Sequence, residues 1–415
     1  MPETYKILGQ VAPSDTTEQI LYTTPAGTQT LVTNITAVNR TNSTQTFDVS
    51  VHATAPNVAS VPYPLVAVAG KGGSAGTTAA YSTDGTTWTT TTLPVSASWT
   101  GVTFGNNLYV AIATGFNYAA SSTNGITWTQ RTLSMPDFWE TIHYNSNSSR
   151  FVALSSGTPA NHSTDGISWT SAYVPAGNFS TNNNITSSAF GNNMSVGVAT
   201  GASSASTTKA VSSTDGLTWV ERTMPALGIW RSVAFGNGVF SSVSSGPSTT
   251  AASSTDGITW TLRTLPASAN WWGVAFGNGV FVAISQSSTT AASSADGITW
   301  TLRTLPTSAA FRSITFGSGV FSTVVANSST AASSTDGITW TTRTLPTSNS
   351  WYTVAGTTSV NNYVSPAINN LYKNSTIQSN ASEILEPGIV LGAGNTIVVK
   401  GTANTTFSTY GVEIS

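Results

Sequence analysis

One heptapeptide, Ser-x-Asp-Gly-x-Thr-Trp, recurs seven times in this chain at an almost constant interval. Its copies are Ser82–Trp88, Ser122–Trp128, Ser163–Trp169, Ser213–Trp219, Ser254–Trp260, Ser294–Trp300 and Ser334–Trp340, with Asn124 replacing Asp in the second and Ser168 replacing Thr in the third. Successive tryptophans are 40, 41, 50, 41, 40 and 40 residues apart. Self-similarity at such a period means that each repeat is one supersecondary unit, able to bury its apolar faces only against its neighbours. A residue type present in every copy serves the unit. Asp84, Asn124, Asp165, Asp215, Asp256, Asp296 and Asp336 are therefore read as structural turn residues: their side chains accept backbone N–H bonds, the glycine supplies positive φ, and the tryptophan buries a large ring.

The copy from Asn270 to Pro306 displays the unit. Trp271–Phe276 reads as a first strand, Gly277-Asn278-Gly279 as a hairpin turn, Val280–Ser285 as a second strand and Thr290–Ser294 as a third. The box makes the next turn, and Ile298–Leu305 reads as a fourth strand, with Ile298, Trp300 and Leu302 on one face and Pro306 ending it. Four short strands at this period indicate a β-propeller. The first copy begins at Leu65–Ala69, equivalent to a second strand, while Trp351–Ala355 follows the last box with the pattern of a first strand. Pairing these two segments would close the ring and remove its free edges. The expectation is a seven-bladed propeller over residues 58–364, with the extra residues of the long interval in loops at Asn178–Thr186 and Gly201–Lys209.

Both flanks read as β: Tyr5–Val11, Glu18–Tyr22, Leu31–Val38 and Thr46–His52 before the repeats, then Asn370–Ile377, Ala381–Leu385, Thr396–Lys400 and Phe407–Ile414 after them. Each flank alone is near the lower limit for an independent core. Together, residues 1–57 and 365–415 suffice for one β-sandwich. The overall expectation is an all-β chain, a seven-bladed β-propeller inserted into a discontinuous β-sandwich through joints at Ala53–Pro64 and Gly356–Ala367.

Composition narrows the function. Charged residues make up 7% of the 415 and the net charge is −2, so no basic surface for nucleic acid is expected. There is no cysteine, hence no disulfide or thiolate metal site. No apolar run reaches the length of a membrane span or a signal peptide. His52, His143 and His162 have no metal-ligand spacing, and His52 reads as a solvent-facing strand residue. No cofactor is expected.

Few residues could carry chemistry. Six of the nine aspartates lie in boxes; Asp137 and Glu140 flank Trp139 and are weighed as a carboxylate pair against two exposed loop carboxylates, the reading preferred. Arg131, Arg222, Arg263, Arg303 and Arg343 repeat at one fourth-strand position, an outer-edge ring that could pair with box carboxylates, whereas Arg231 and Arg312 fall nearer the central channel. The tryptophans outside the boxes, Trp99, Trp139, Trp230, Trp271, Trp272 and Trp351, all stand where a first strand begins. They are candidates for a glycan- or partner-binding face, weighed against packing between blades, the reading preferred.

Two resemblances bear on function. The heptapeptide resembles the Asp-box of sialidase-like propellers, Ser-x-Asp-x-Gly-x-Thr-Trp, but is one residue shorter; the resemblance implies a structural turn remote from a catalytic centre. Tyr5-Lys-Ile-Leu-Gly-Gln-Val-Ala-Pro-Ser14, Leu21-Tyr-Thr-Thr-Pro-Ala-Gly27 and Tyr410-Gly-Val-Glu-Ile-Ser415 look like small β-sandwich domains in structural proteins of marine tailed phages, cyanophages in particular. That resemblance implies a non-enzymatic virion protein assembled in a host cytoplasm, a head decoration or a tail or fibre component, with other virion proteins as partners and symmetry-related copies on the particle. The alternative is a carbohydrate-binding adhesin with a host-surface glycan as partner; a sialidase-like glycan hydrolase ranks third.

Overall fold

The computed structural model describes residues 64–70, 75–157, 159–173 and 183–356 of the repeat region, and in the flanks 6–11, 19–23, 29–39, 43, 45–52, 367–377, 382–385, 389–391, 396–401 and 405–414. The chain divides into two compact units, Met1–Val61 with Asn361–Ser415, and Pro62–Val360. The two joints fall almost entirely outside the described residues, as does most of Asn178–Thr186.

The flanking unit contains two antiparallel sheets. One has the order Lys6–Val11, Thr405–Ile414, Gln29–Asn39 and Ser382–Leu385, with Ile389–Leu391 also pairing with Gln29–Asn39. The other runs Gln19–Thr23, Thr396–Gly401, Gln45–His52 and Ala367–Ile377. In both sheets every hydrogen-bonded neighbour pair joins a strand from before the repeats to one from after them. The short strand Ile389–Leu391 is additional to those read from the sequence; the side chain of His52 lies outside the described residues.

Pro62–Val360 is built from four-stranded antiparallel sets. The set of the repeat read above is Trp271–Gly277, Val280–Ser285, Ser288–Ser294 and Thr301–Ala309, paired in chain order. The first copy lacks a first strand of its own, and Trp351–Ala355 supplies it: Trp351 pairs with Ala69, Val354 with Ala67 and Ala355 with Val66. Two long strands, Thr89–Gly105 and Val220–Gly236, each end one set and begin the next.

The cores lie between sets, as a repeat with two apolar faces requires. Trp271, Phe281 and Trp300 pack with Val243, Ala251 and Leu265 of the preceding set. Phe311, Phe321 and Trp340 pack in the same way on Val282, Ile284 and Leu305. The series closes on itself: Val320, Val324 and Leu345 of the last set pack with Leu65, Trp88 and Trp351 of the first. Tight fit accompanies this. A Cβ on Gly277 would stand 1.9 Å from Cγ of Phe316, and one on Gly236 2.0 Å from Cγ of Phe276.

The fourth strand departs from expectation. It runs Thr301–Ala309, past Pro306, because register with Ser288–Ser294 breaks between Thr304 and Ala309, and a residue without an N–H is tolerated in that unpaired stretch of an edge strand. Trp300 precedes the strand and Leu302 is exposed; Leu305 is the residue that returns to the core.

Each box is a hydrogen-bonded turn. In Ser294–Trp300, Ser294 Oγ donates to Asp296 Oδ1 (2.8 Å) and accepts from Gly297 N (2.8 Å), while Asp296 Oδ1 accepts from Ile298 N (2.8 Å) and Thr299 N (2.7 Å). Gly297 sits at φ +69°, where a Cβ is strained. Burial raises the pKa of Asp296, but the N–H groups of Thr299 and Ile298 and the hydroxyl of Ser294 outweigh it and hold the carboxyl down at about 2. The charge itself is dispensable for the turn, since Asn124 Oδ1 accepts from Ile126 N and Thr127 N, each at 2.9 Å. Asp296→Asn is therefore expected to change stability by only a few tenths of a kcal/mol, and Asp296→Ala to cost about 1 kcal/mol, as loss of a comparable cap does. Urea denaturation at neutral pH checks both.

Candidate functional site

At the start of every first strand the chain carries a large apolar residue and then one extra residue. Trp99, Trp139, Ile185, Trp230, Trp271, Phe311 and Trp351 are all fully buried. Directly after each, the ladder with the second strand skips one residue: Thr100, Glu140, Thr186, Arg231, Trp272, Arg312 and Tyr352 respectively. Such a β-bulge leaves its residue unpaired and re-aims the side chain. All seven bulged residues line one cavity of about 420 Å³. The first strands contact one another in sequence and the last contacts the first, so each contributes a wall.

This ring is where the repeat stops repeating. The residue before the bulge is always a large hydrophobe and the residue after it is always Gly, Ser or Thr. The bulged position alone mixes threonine, glutamate, arginine, tryptophan and tyrosine. A scaffold position repeats because packing demands it; a position freed from that demand can differ between copies to suit a ligand.

The long fourth repeat adds to the same cavity. Its Ala202–Ser204 forms a short 3₁₀ turn, and Ser203 and Ser204 take left-handed backbone angles of φ +54° and +61°. Strain of this kind gathers at binding sites. Ser204 lines the cavity and accepts a hydrogen bond from Arg231 Nη2 at 2.8 Å.

The charged centre of the cavity is Arg231, Trp272 and Arg312, from three successive sets. The guanidinium carbons stand 4.5 Å and 4.7 Å from the centroid of the Trp272 ring. Two cations are thus held on one π-system, in a cavity that Glu140 also lines. Arg231 Nε also donates to Ser245 Oγ at 3.2 Å. Burial lowers the pKa of Arg231, Tyr352 and Glu140 oppose that, and the like charge of Arg312 reinforces it; an arginine remains charged regardless. Arg312 Nε is buried and makes no hydrogen bond among the described residues.

Of the two readings weighed for the tryptophans outside the boxes, packing between blades holds for five. Trp99, Trp139, Trp230, Trp271 and Trp351 lie wholly inside the cores between sets and have no ring face to offer. Trp272 alone reaches the cavity, and its ring is engaged by the two arginines. Asp137 and Glu140 have different settings: Glu140 lines the cavity, while Asp137 ends the strand Thr129–Asp137 and accepts from Phe138 N. The outer arginines pair with serine rather than with box carboxylates: Arg131, Arg222, Arg263, Arg303 and Arg343 each donate from Nε to a third-strand serine, Ser121, Ser212, Ser253, Ser293 and Ser333, at 2.8–2.9 Å. Asp84, Asn124, Asp165, Asp215, Asp256, Asp296 and Asp336 all accept backbone N–H bonds in their turns.

His143 lies buried beside a second group of first-strand residues that includes Val102, Tyr144 and Thr315. Its Nδ1 is 2.9 Å from Ser188 Oγ and its Nε2 2.8 Å from Ser195 Oγ. Burial lowers its pKa to about 3. His162 lies apart, 3.3 Å from Arg150 Nη1. Among the described residues no three of His, Cys, Asp and Glu cluster as metal ligands do, and no helix is long and apolar enough to cross a membrane.

No family model and no curated protein matches the chain. Solved structures do. Virginiamycin B lyase from Staphylococcus aureus superposes with a TM-score of 0.54 at 11% identity, over 73% of this chain and 94% of that one. A streptogramin B lyase superposes with a TM-score of 0.55 at 11% identity, over 86% of this chain and 98% of that one. Likeness at such identity speaks to fold alone: the chain is all-β, and its repeats form a β-propeller.

Proposed function

We propose that this chain is a non-enzymatic structural protein of a virus particle, a seven-bladed β-propeller inserted into a β-sandwich formed from both ends of the chain. The sandwich attaches to other virion proteins, with symmetry-related copies on the particle, and the propeller presents its axial cavity to a ligand. The observation that carries the reading is the alternation of chain ends in the flanking sheets, where Thr405–Ile414 pairs with both Lys6–Val11 and Gln29–Asn39. Such a domain forms only when both ends are present, so the propeller is an excursion from a single base. The phage-like motifs lie in that base. The cavity supports binding rather than turnover, because it gathers guanidinium and hydroxyl groups around one carboxylate, Glu140. Antibody detection in gradient-purified particles tests the assignment: a fixed copy number per particle is expected, and a protein found only free of particles would overturn it.

A carbohydrate-binding adhesin is the second reading. Thr141, Asn184, Ser187, Thr200 and Thr353 line the cavity with groups able to read sugar hydroxyls.

A further inference from the structure

We propose that the axial cavity binds a sugar acid, a hydroxylated ring bearing a carboxylate, with Arg231 and Arg312 as the carboxylate clamp. The inference rests on the cavity being the binding site of the propeller, and does not depend on where the protein resides.

Arg231 and Arg312 share one aromatic platform in the cavity. Both guanidinium carbons lie within 4.7 Å of one ring centroid, so they cannot be further apart than the two distances together. Like charges at that separation repel, and a bound anion relieves the repulsion. Ser245 and Ser204 take two of the five N–H donors of Arg231. Arg312 Nε is buried and unbonded, an unusual state for a charged donor in a native fold. Planar guanidinium groups match a carboxylate in bidentate fashion. Trp272 is thus the platform that orients the clamp, which explains why it alone of the six candidate tryptophans is not in the core.

The rest of the lining selects the ligand class. Thr141, Asn184, Thr200 and Tyr352 carry hydroxyl or amide groups suited to ring hydroxyls. A volume of about 420 Å³ is that of a small-ligand site rather than a protein interface. An acidic peptide would satisfy the arginines but leave this polar wall facing aliphatic side chains, so it is the less suited ligand.

The experiment is calorimetric titration of the full chain with glucuronate and galacturonate, with glucose and galactose as neutral controls and a short acidic peptide as competitor class. The wild type should bind a hexuronate and not the matching neutral hexose. Arg312→Met should weaken that binding about 10- to 100-fold, the range for losing a hydrogen bond to a charged group, while the protein stays folded with a melting temperature lowered only by the loss of one cation–π contact. Arg303→Met, on the outer edge, should leave it intact. Equal binding of acid and neutral sugars, binding unaffected by Arg312→Met, or no binding of either hexuronate would overturn the proposal. Binding of the acidic peptide without either hexuronate would also overturn it while leaving the cavity as the binding site; the particle assignment stands or falls separately on co-purification.

Discussion

Trp271→Ala is expected to remove about 3–5 kcal/mol of folding stability, the cost of truncating a fully buried large aromatic, whereas Trp272→Ala should cost only about 1–2 kcal/mol, the value of two partly exposed cation–π contacts. The two residues are adjacent and chemically identical, yet their backbones differ. Trp271 pairs in register with Ser285, fills the core between two sets beside Phe281 and Trp300, and donates from Nε1 to Ser248 O at 3.1 Å. Trp272 is the bulged residue and holds Arg231 and Arg312. Urea denaturation of the two variants should therefore separate widely, and ligand titration should reverse the order, since loss of Trp272 releases the arginine clamp. Similar stability losses in both would mean that the bulge does not divide scaffold from site.

Acidification is expected to destabilise the propeller before its aspartates are touched. The pKa of His143 is lowered from 6.5 to about 3 by burial. As the pH falls from 6.5 toward that value, the unfolded chain binds a proton that the folded chain refuses, so stability drops through this window. At up to about 1.4 kcal/mol per unit, the loss between pH 6.5 and about pH 4.5 comes to about 2 kcal/mol. The box carboxylates act later. Asp165 and Asp296 are held at about 2, below their ordinary value of 3.8, so the stability they confer is present above 3.8 and lost as the pH falls through about 2. Denaturant melts of wild type and His143→Gln between neutral pH and about pH 4.5 distinguish the two windows. The wild type should lose stability steeply across that range and the variant less so, a residual slope remaining from His162, whose pKa burial and Arg150 also lower; an equal slope in both would place the acid sensitivity elsewhere.

The scaffold was legible because it is written seven times. The box spacing located the turns, the missing first strand before Leu65 pointed to Trp351–Ala355, and the flanking strands appeared within a few residues of Lys6–Val11 and Thr405–Ile414. Edges were harder to read. Pro306 reads as the end of its strand because the break in register that shelters it leaves no local signal. The cavity was hidden for a deeper reason. A bulge is a two-against-one pairing, and the period-two rule that assigns faces along a strand fails where one residue is added. Counting tryptophans therefore placed Trp271 and Trp272 together, when only the second leaves the core. The usable signal was variation between copies: the column Thr100, Glu140, Thr186, Arg231, Trp272, Arg312 and Tyr352 differs in charge, size and polarity inside an otherwise uniform strand.

The regular ring thus provides rigidity and the irregular column provides chemistry. Seven bulges aim seven side chains at one axis, and the one enlarged repeat adds Ser204 against Arg231. The most direct test is a crystal structure of the full chain soaked with glucuronate. The expected result is a single ligand in the axial cavity, its carboxylate within hydrogen-bonding distance of both Arg231 and Arg312. Ligand density on the outer edge near Arg263, Arg303 and Arg343, or none in the cavity, would contradict it.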